Sequence, residues 1–235
     1  MVTPVNEFRM SGTLYIISTP IGNDDDITYR ALKILKVVDL ILFEEEKSAL
    51  RFLKHYGLSS TSYELINEHN EDKISDSILE LLVAGKNIAL TSDAGTPVFY
   101  DPGKILVDKA IQSGIKIVPI PGVCSIVPAL ILSGFLVKEF LFRGFLSQKR
   151  NERKKELEKL RSEMRPVVIM DTPYRLLPLL KDLAEVFKKD RRIAVAFNLT
   201  MEDEKVFRGW AEELLNYFEK AKLKGEFVIV IEGKN

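Results

Sequence analysis

Cysteine is nearly absent. Cys124 is the only one in 235 residues, so no internal disulfide can form, and the chain reads as a protein of a reducing compartment. Histidine is almost as scarce: His55 and His69 stand alone, neither at a metal-ligand spacing with the cysteine, and no metal site is expected. An excess of charge of one sign is missing too, because 34 Lys plus Arg balance 34 Asp plus Glu. Without a global basic field, a nucleic-acid partner has to be held by a local patch. The longest apolar candidate, Ile115 to Leu136, is broken by Pro119, Pro121, Gly122, Pro128 and Gly134, which excludes a transmembrane helix. No basic N-terminal segment leads into the apolar stretch that a signal peptide needs. The expectation is a cytoplasmic protein with no membrane partner.

What is present is ordinary for a globular chain, 46% hydrophobic and 29% charged, at a length that suits one large domain or two modest ones. After a loose start from Met1 to Gly12, short β-rich runs alternate with helical periodicity. The strands are expected at Thr13–Thr19, Asp39–Phe43, Ser62–Ile66, Ile88–Leu90 and Lys116–Pro119. Between them, Ile27, Ala31, Ile34, Leu35 and Val38 mark a helix capped by Asp25 or Asp26, and Ser48–Tyr56 forms a short helix closed by Gly57. Ile74, Ile78, Leu81 and Leu82 mark a third helix ended at Gly85, and Lys104–Ser113 a fourth, stopped at Gly114. This β/α series is the pattern of a mostly parallel sheet covered by helices, over residues 1–118. The Pro119-Ile120-Pro121-Gly122 cluster supplies a linker, and a second α/β domain follows over 123–235. There, helices are expected at Ser125–Ser133, Asn151–Met164, Tyr174–Phe187 and Ala211–Ala221, with strands at Leu141–Phe145, Val167–Met170, Ile193–Phe197, Val206–Trp210 and Phe227–Ile231. Two strands in succession, from Ile193 to Trp210, require antiparallel pairing and hence a mixed sheet.

Open α/β sheets bind ligands beyond the carboxyl ends of their strands. Two loops fall there: Pro20-Ile21-Gly22-Asn23 after the first strand and Ser92-Asp93-Ala94-Gly95-Thr96-Pro97 after the Ile88–Leu90 strand. Their small residues let a ligand approach the backbone, although each is also a plain turn, and neither matches a dinucleotide or Walker fingerprint. Crowded carboxylates at Glu44, Glu45 and Glu46 raise the pKa of one of them, so Glu44 is a candidate general base, while Glu45 is expected to face water. Asp93 either orients a ligand or caps its own turn. His55, near a helix end, is expected to satisfy exposed carbonyls. The stretch from Lys149 to Arg165 carries eight Lys or Arg against four Glu, with Leu157, Leu160 and Met164 as its apolar face. Its charges form either a solvated helix face or a contact for a phosphate backbone.

Several motifs recur in a recognisable order: TPIGN at Thr19–Asn23, EHNE at Glu68–Glu71, SDAGTP at Ser92–Pro97 with DPG at Asp101–Gly103, PIPG at Pro119–Gly122, GFL at Gly144–Leu146 and KGE at Lys224–Glu226. Together they resemble the ribosomal RNA small subunit methyltransferase I family of the tetrapyrrole methylase superfamily, from about Gly12 to Gly233. The resemblance implies two α/β domains of the tetrapyrrole methylase type, S-adenosylmethionine in a cleft between them, homodimerisation, and 2′-O-methylation of a cytidine ribose in small-subunit ribosomal RNA or a 30S particle. It also implies site residues. Pro20, Ser92, Asp93, Ala94, Gly95, Pro97, Val98, Cys124 and Ser125 would border the cofactor's methionine end, and Met170, Asn198, Lys224, Gly225 and Glu226 its adenosine. Glu44 and Asp93 would act in catalysis, and Glu46, Lys47, His69, Lys154 and Lys155 on the substrate side.

The chain departs from the family pattern in three places. Glu44-Glu45-Glu46-Lys47 stands where Glu-Asp-Thr-Arg is usual, Tyr174 where a histidine is usual, and Phe197-Asn198-Leu199-Thr200 where Arg-Glu-Leu-Thr is usual. A tetrapyrrole-type or other small-molecule methylase, and a cofactor-binding paralogue without turnover, are therefore the alternative readings.

Overall fold

The computed structural model describes residues 11–234. The loose start expected for Met1–Gly12 lies mostly outside that range. The chain divides between Cys124 and Ser125 into two compact units, just beyond the Pro119–Gly122 cluster, and each unit has its own five-stranded sheet.

The first unit runs β1 (Thr13–Ile17), α1 (Tyr29–Leu35), β2 (Leu40–Phe43), α2 (Glu46–His55), β3 (Tyr63–Leu65), α3 (Glu71–Val83), β4 (Ile88–Leu90), α4 (Lys104–Gln112) and β5 (Lys116–Ile120). Every strand pairing is parallel, in the order β3-β2-β4-β1-β5. Ala31, Leu35, Ala49 and Leu53 of α1 and α2 pack on one face with Ile17, Ile41 and Phe43. Ile78, Leu82, Leu106 and Ala110 of α3 and α4 pack on the other with Leu14, Leu42 and Leu90. The order explains the split: β1 and β2 each exit toward the β3 edge, β3 and β4 toward the β5 edge, and right-handed crossovers in opposite directions land on opposite faces. β4 therefore lies between two strands whose chains leave the other way, so a topological switch point opens on both of its sides. Ile88, Ala89 and Leu90 are fully buried, as befits that central position.

Local chemistry moves some boundaries. Neither Asp25 nor Asp26 caps α1. The Asp24–Asp26 segment is a separate 3₁₀ turn headed by Asn23, Ile27 is extended, and the Thr28 hydroxyl accepts from Ala31 N at 3.1 Å. α2 starts at Glu46 rather than Ser48, directly after the extended Glu45. Leu81 is 38% exposed and stands off the buried stripe of α3.

The second unit runs α5 (Ile126–Ser133), β6 (Leu141–Gly144), α6 (Arg150–Lys159), β7 (Val167–Asp171), α7 (Leu176–Phe187), β8 (Ile193–Phe197), β9 (Lys205–Gly209), α8 (Ala211–Ala221) and β10 (Phe227–Ile231). Its sheet, β6-β7-β10-β8-β9, joins one parallel pair to three antiparallel ones and is mixed as expected. α6 passes into a 3₁₀ turn at Leu160–Ser162, so Leu157 and Leu160 are buried while Met164 leaves the apolar face and is 65% exposed. No helix among the described residues is long and apolar enough to cross a membrane.

Candidate active site

In the first unit the loops after β1, β4 and β5 are knitted together at the carboxyl ends of the strands. Thr19 and Gly95 exchange two backbone hydrogen bonds, at 2.8 and 3.1 Å. The Thr19 hydroxyl donates to Ser92 O at 3.0 Å, and the Ser92 hydroxyl donates to Gly95 O at 3.0 Å. Thr96 Oγ1 donates to Val123 O at 3.2 Å, which leaves Ser18 Oγ to donate to Thr96 across 3.0 Å. These bonds satisfy buried hydroxyls that would otherwise carry a desolvation penalty. Gly95 has φ +89°, and a side chain at Gly122 would bring its Cβ within 2.9 Å of Ser18 Cβ. Val98 and Tyr100 also sit at positive φ, 71° and 72°, a conformation that a β-branched or bulky residue adopts only under constraint. Pro20, Ser92, Asp93, Ala94, Gly95, Pro97 and Val98 all belong to this knot or its rim. Cys124, a free and partly buried thiol, follows Val123.

On the other side of β4 the same end of the sheet gathers carboxylates. Glu44 follows β2, Asp93 follows β4, and Asp101 comes from the later part of the β4–α4 loop. Burial, then the negative charges of Asp101, Asp93, Glu45 and Glu68, push the Glu44 carboxyl up to about 7. Burial, then the negative charge of Asp93, push Asp101 up to about 6, opposed in part by the nearby Ser92 hydroxyl. Burial also raises Asp93, opposed by hydrogen bonds from the Ser48 hydroxyl and the Glu45 backbone. Like charges that cannot all ionise near neutrality make a site able to accept and return a proton. Asp101 was not singled out from the sequence, although it stands in the quoted DPG motif. Among the described residues no three His, Cys, Asp or Glu side chains are disposed to hold a metal ion.

The remaining expected residues of this unit are peripheral. Glu46 and Lys47 are exposed on the first turn of α2. His69 is exposed, with Nε2 3.5 Å from Glu68. The EHNE motif does structural work instead. Asn70 Nδ2 donates to Leu65 O, and Glu71 Oε1 accepts from Gly103 N at 2.9 Å and Ile105 N at 2.7 Å, which caps α4 and anchors the far end of the Asp93–Gly103 loop. His55 lies with Nδ1 3.6 Å from Asp24 Oδ2.

In the second unit Asn198, at φ +47° after β8, meets the chain entering β10: its N–H donates to Glu226 O at 2.8 Å. Its Nδ2 donates to Asp203 at 2.8 Å, while its Oδ1 is buried and has no partner. A Cβ on Gly225 would lie 2.1 Å from that oxygen and 2.6 Å from Phe197, so any side chain there would force Asn198 or Phe197 to move. Asn198, Gly225 and Glu226 thus come together, with Lys224 exposed beside them. Met170, partly buried on β7, pairs with Val228 of β10. Ser125 precedes α5 without a side-chain cap bond. Tyr174 is 82% exposed, whereas Arg175 bridges Asp171 at 3.2 Å and donates to Leu146 O and Ser147 O.

The basic α6 is largely neutralised from within. Arg153 and Arg150 bond Asp182 at 2.7 and 2.9 Å, and Lys154 bonds Glu185 at 2.8 Å. Lys155 and Lys159 are exposed and pair with no carboxylate among the described residues.

Comparison with known proteins agrees with this architecture. Residues 13–215 match the family model described as Tetrapyrrole (Corrin/Porphyrin) Methylases. Proteins named "Ribosomal RNA small subunit methyltransferase I" are similar over nearly the whole chain. The one from Buchnera aphidicola subsp. Acyrthosiphon pisum is 38% identical, over 97% of this chain and 81% of its own length. That from Thermotoga maritima is 40% identical, over 95% and 99%. Among solved structures, a uroporphyrin-III-C-methyltransferase from Thermus thermophilus superposes with a TM-score of 0.66 at 20% identity, covering 94% of each chain. With two α/β units of this topology and a matching family model across both, the chain belongs to the Tetrapyrrole (Corrin/Porphyrin) Methylases and is a methyltransferase.

Proposed function

We propose that this methyltransferase uses S-adenosylmethionine to methylate the 2′-hydroxyl of a cytidine ribose in small-subunit ribosomal RNA, presented as a 30S particle or a precursor of it. The names of its relatives support the acceptor, and one structural observation supports the chemistry: Glu44 lies among carboxylates at a switch point with its pKa near 7. The residues present fit the cofactor. Buried and unpartnered, Asn198 Oδ1 is an acceptor of the kind an adenine amino group needs, and Gly225, having no side chain, lets the chain pack directly against it. Asn198, Lys224, Gly225, Glu226 and Met170 are assigned to adenosine, and Pro20, the Ser92–Val98 loop, Cys124 and Ser125 to the methionine portion. When bound, the cofactor supplies an electrophilic methyl on a sulfonium.

The chain's own residues then have two tasks. The knotted loops hold the approach rigid, which favours an in-line displacement. Glu44 accepts the proton that the ribose hydroxyl loses as its oxygen bonds carbon, and a base with a pKa near the working pH does this best. Asp93 is assigned to orient the acceptor, and Glu46, Lys47, His69, Lys154 and Lys155 to RNA contacts. A cytoplasmic homodimer completes the proposal. Exposed Val127 and Ile131, one turn apart on α5, with Leu136, Val137 and Phe140, offer an apolar surface for a second copy.

The test is labelled-methyl incorporation from S-adenosylmethionine into unmodified 30S particles, naked ribosomal RNA and porphyrinoid precursors. Product resistant to alkali at one ribose supports the proposal. Transfer only to porphyrinoids, or cofactor binding without any transfer, replaces it with the small-molecule or the non-catalytic reading.

A further inference from the structure

One face of α2 carries Ser48, Arg51, Phe52 and His55, which recur at helical spacing and line a small cavity with Asp24, Phe43, Ser92 and Asp93. Ser48, at one end of this face, shares the cavity wall with Asp93. His55, at the other, is about 10 Å further along the helix axis. The Arg51 guanidinium and the His55 imidazole are loosely tethered. Arg51 is 81% exposed at its side chain and 3.9 Å from Asp24 Oδ1, and His55 is 3.6 Å from Asp24 Oδ2, both beyond hydrogen-bond length. Such contacts are worth little in water and are readily exchanged.

We infer that Arg51 and His55 form an anion subsite for the RNA phosphate next to the methylated ribose, with Asp24 holding both side chains in place until that phosphate arrives. This inference rests on the 2′-hydroxyl acceptor proposed above. A 2′-hydroxyl is vicinal to the oxygen that bears the 3′ phosphodiester, so an acceptor that reaches Glu44 and Asp93 brings a phosphate with it. Carboxylates alone would repel that group. Arg51 is the guanidinium that shares a cavity wall with Asp93, and its planar fork suits two phosphate oxygens at once. At about 30 Å³ the cavity holds a water rather than a phosphate, so the anion sits at its mouth, where Arg51 is exposed. The same chemistry could serve the carboxylate of the cofactor, and the experiment separates the two.

Steady-state kinetics on RNA and calorimetry with S-adenosylhomocysteine are measured for Arg51→Met, Arg51→Lys, Asp24→Asn, the double variant Asp24→Asn/Arg51→Met, and the control Lys54→Met, which removes one exposed charge from the same helix outside the cavity. Arg51→Met is expected to raise the KM for RNA about tenfold or more with a smaller change in kcat, and Arg51→Lys to recover part of the loss. Lys54→Met should stay within about twofold. Asp24→Asn should lower KM in the parent, and lower it less when Arg51 is absent, because the freed guanidinium is what gains. Equal KM shifts for Arg51→Met and Lys54→Met, or an Asp24→Asn effect that is the same in both backgrounds, overturn the subsite in favour of a diffuse field. Weakened S-adenosylhomocysteine binding with an unmoved RNA KM reassigns the anion to the cofactor's carboxylate. Absence of RNA methylation by the parent protein is a separate result, which defeats the acceptor on which the subsite depends.

Discussion

Replacing Glu44 with glutamine should make the protein more stable and less active, and the stability gain should depend on pH. The carboxyl has a folded-state pKa of about 7 against an ordinary value of 4.5. A carboxyl raised on folding contributes stability that is fully present below its unfolded pKa and is lost as pH rises through its folded one. The window is therefore about pH 4.5 to 7, and above it the native state carries a charge it would rather not hold. The full difference corresponds to about 3 kcal/mol, and partial exposure to water reduces it to about 1–2 kcal/mol. Glutamine keeps the shape and removes the charge. Its Tm should match the parent at pH 4.5 and exceed it by about 2–8 °C at pH 8. Turnover should fall in the same variant by about 100-fold or more, since no base remains. Parental kcat should rise with pH through about 7 and then level. Thermal scans from pH 4.5 to 8.5, paired with methyl-transfer rates, test both halves. A variant whose Tm runs parallel to the parent across that range refutes the buried-charge reasoning, and a variant with parental kcat and parental pH profile refutes the base.

Other sites give independent tests. Gly225→Ala places a Cβ into Asn198 Oδ1 and Phe197, so S-adenosylhomocysteine affinity should drop about tenfold or more while circular dichroism stays native; unchanged affinity by calorimetry removes Asn198 from the adenosine site. Asp182→Ala strands the buried Arg153 guanidinium and should cost about 3–5 kcal/mol in urea unfolding. Reversing Lys155 and Lys159, two exposed cations of α6, should reduce the salt dependence of RNA binding; an unaltered slope makes α6 a surface only.

Elements whose signal is local were readable from the sequence. Ile88–Leu90 and Phe227–Ile231 stand where their apolar runs put them, and Ala211–Ala221 where its periodicity does. The resemblance pointed to the loop from Ser92 to Pro97, and Glu44 emerged from its acidic neighbours. What stayed hidden depends on strand order. Nothing in the spacing says that β4 inserts between β1 and β2, and that insertion sets Glu44 against Asp93 and Asp101 on one side and Thr19 against Gly95 on the other. Arg51 carries no signal of its own in the sequence and His55 only that of a helix end, and the fold is what brings Asp24 and Asp93 alongside them. Competition between neighbouring caps explains the shifted start of α1. Thr28 follows the extended Ile27 and so takes the role that Asp25 or Asp26 offered by residue type.

The place of β4 also dictates a schedule. β1 and β2 emerge first during synthesis, yet each touches only β4 on the side where they face one another, so neither can pair there until residues 88–90 have been made. The middle of the first sheet is thus filled late, by its most deeply buried strand, and long-range parallel pairing is slow to form. Glu44 and Asp93 become neighbours, and Thr19 meets Gly95, only at that insertion. A nascent or partly folded chain therefore has neither the carboxylate cluster nor the knotted loops, and its chemistry switches on with completion of the sheet.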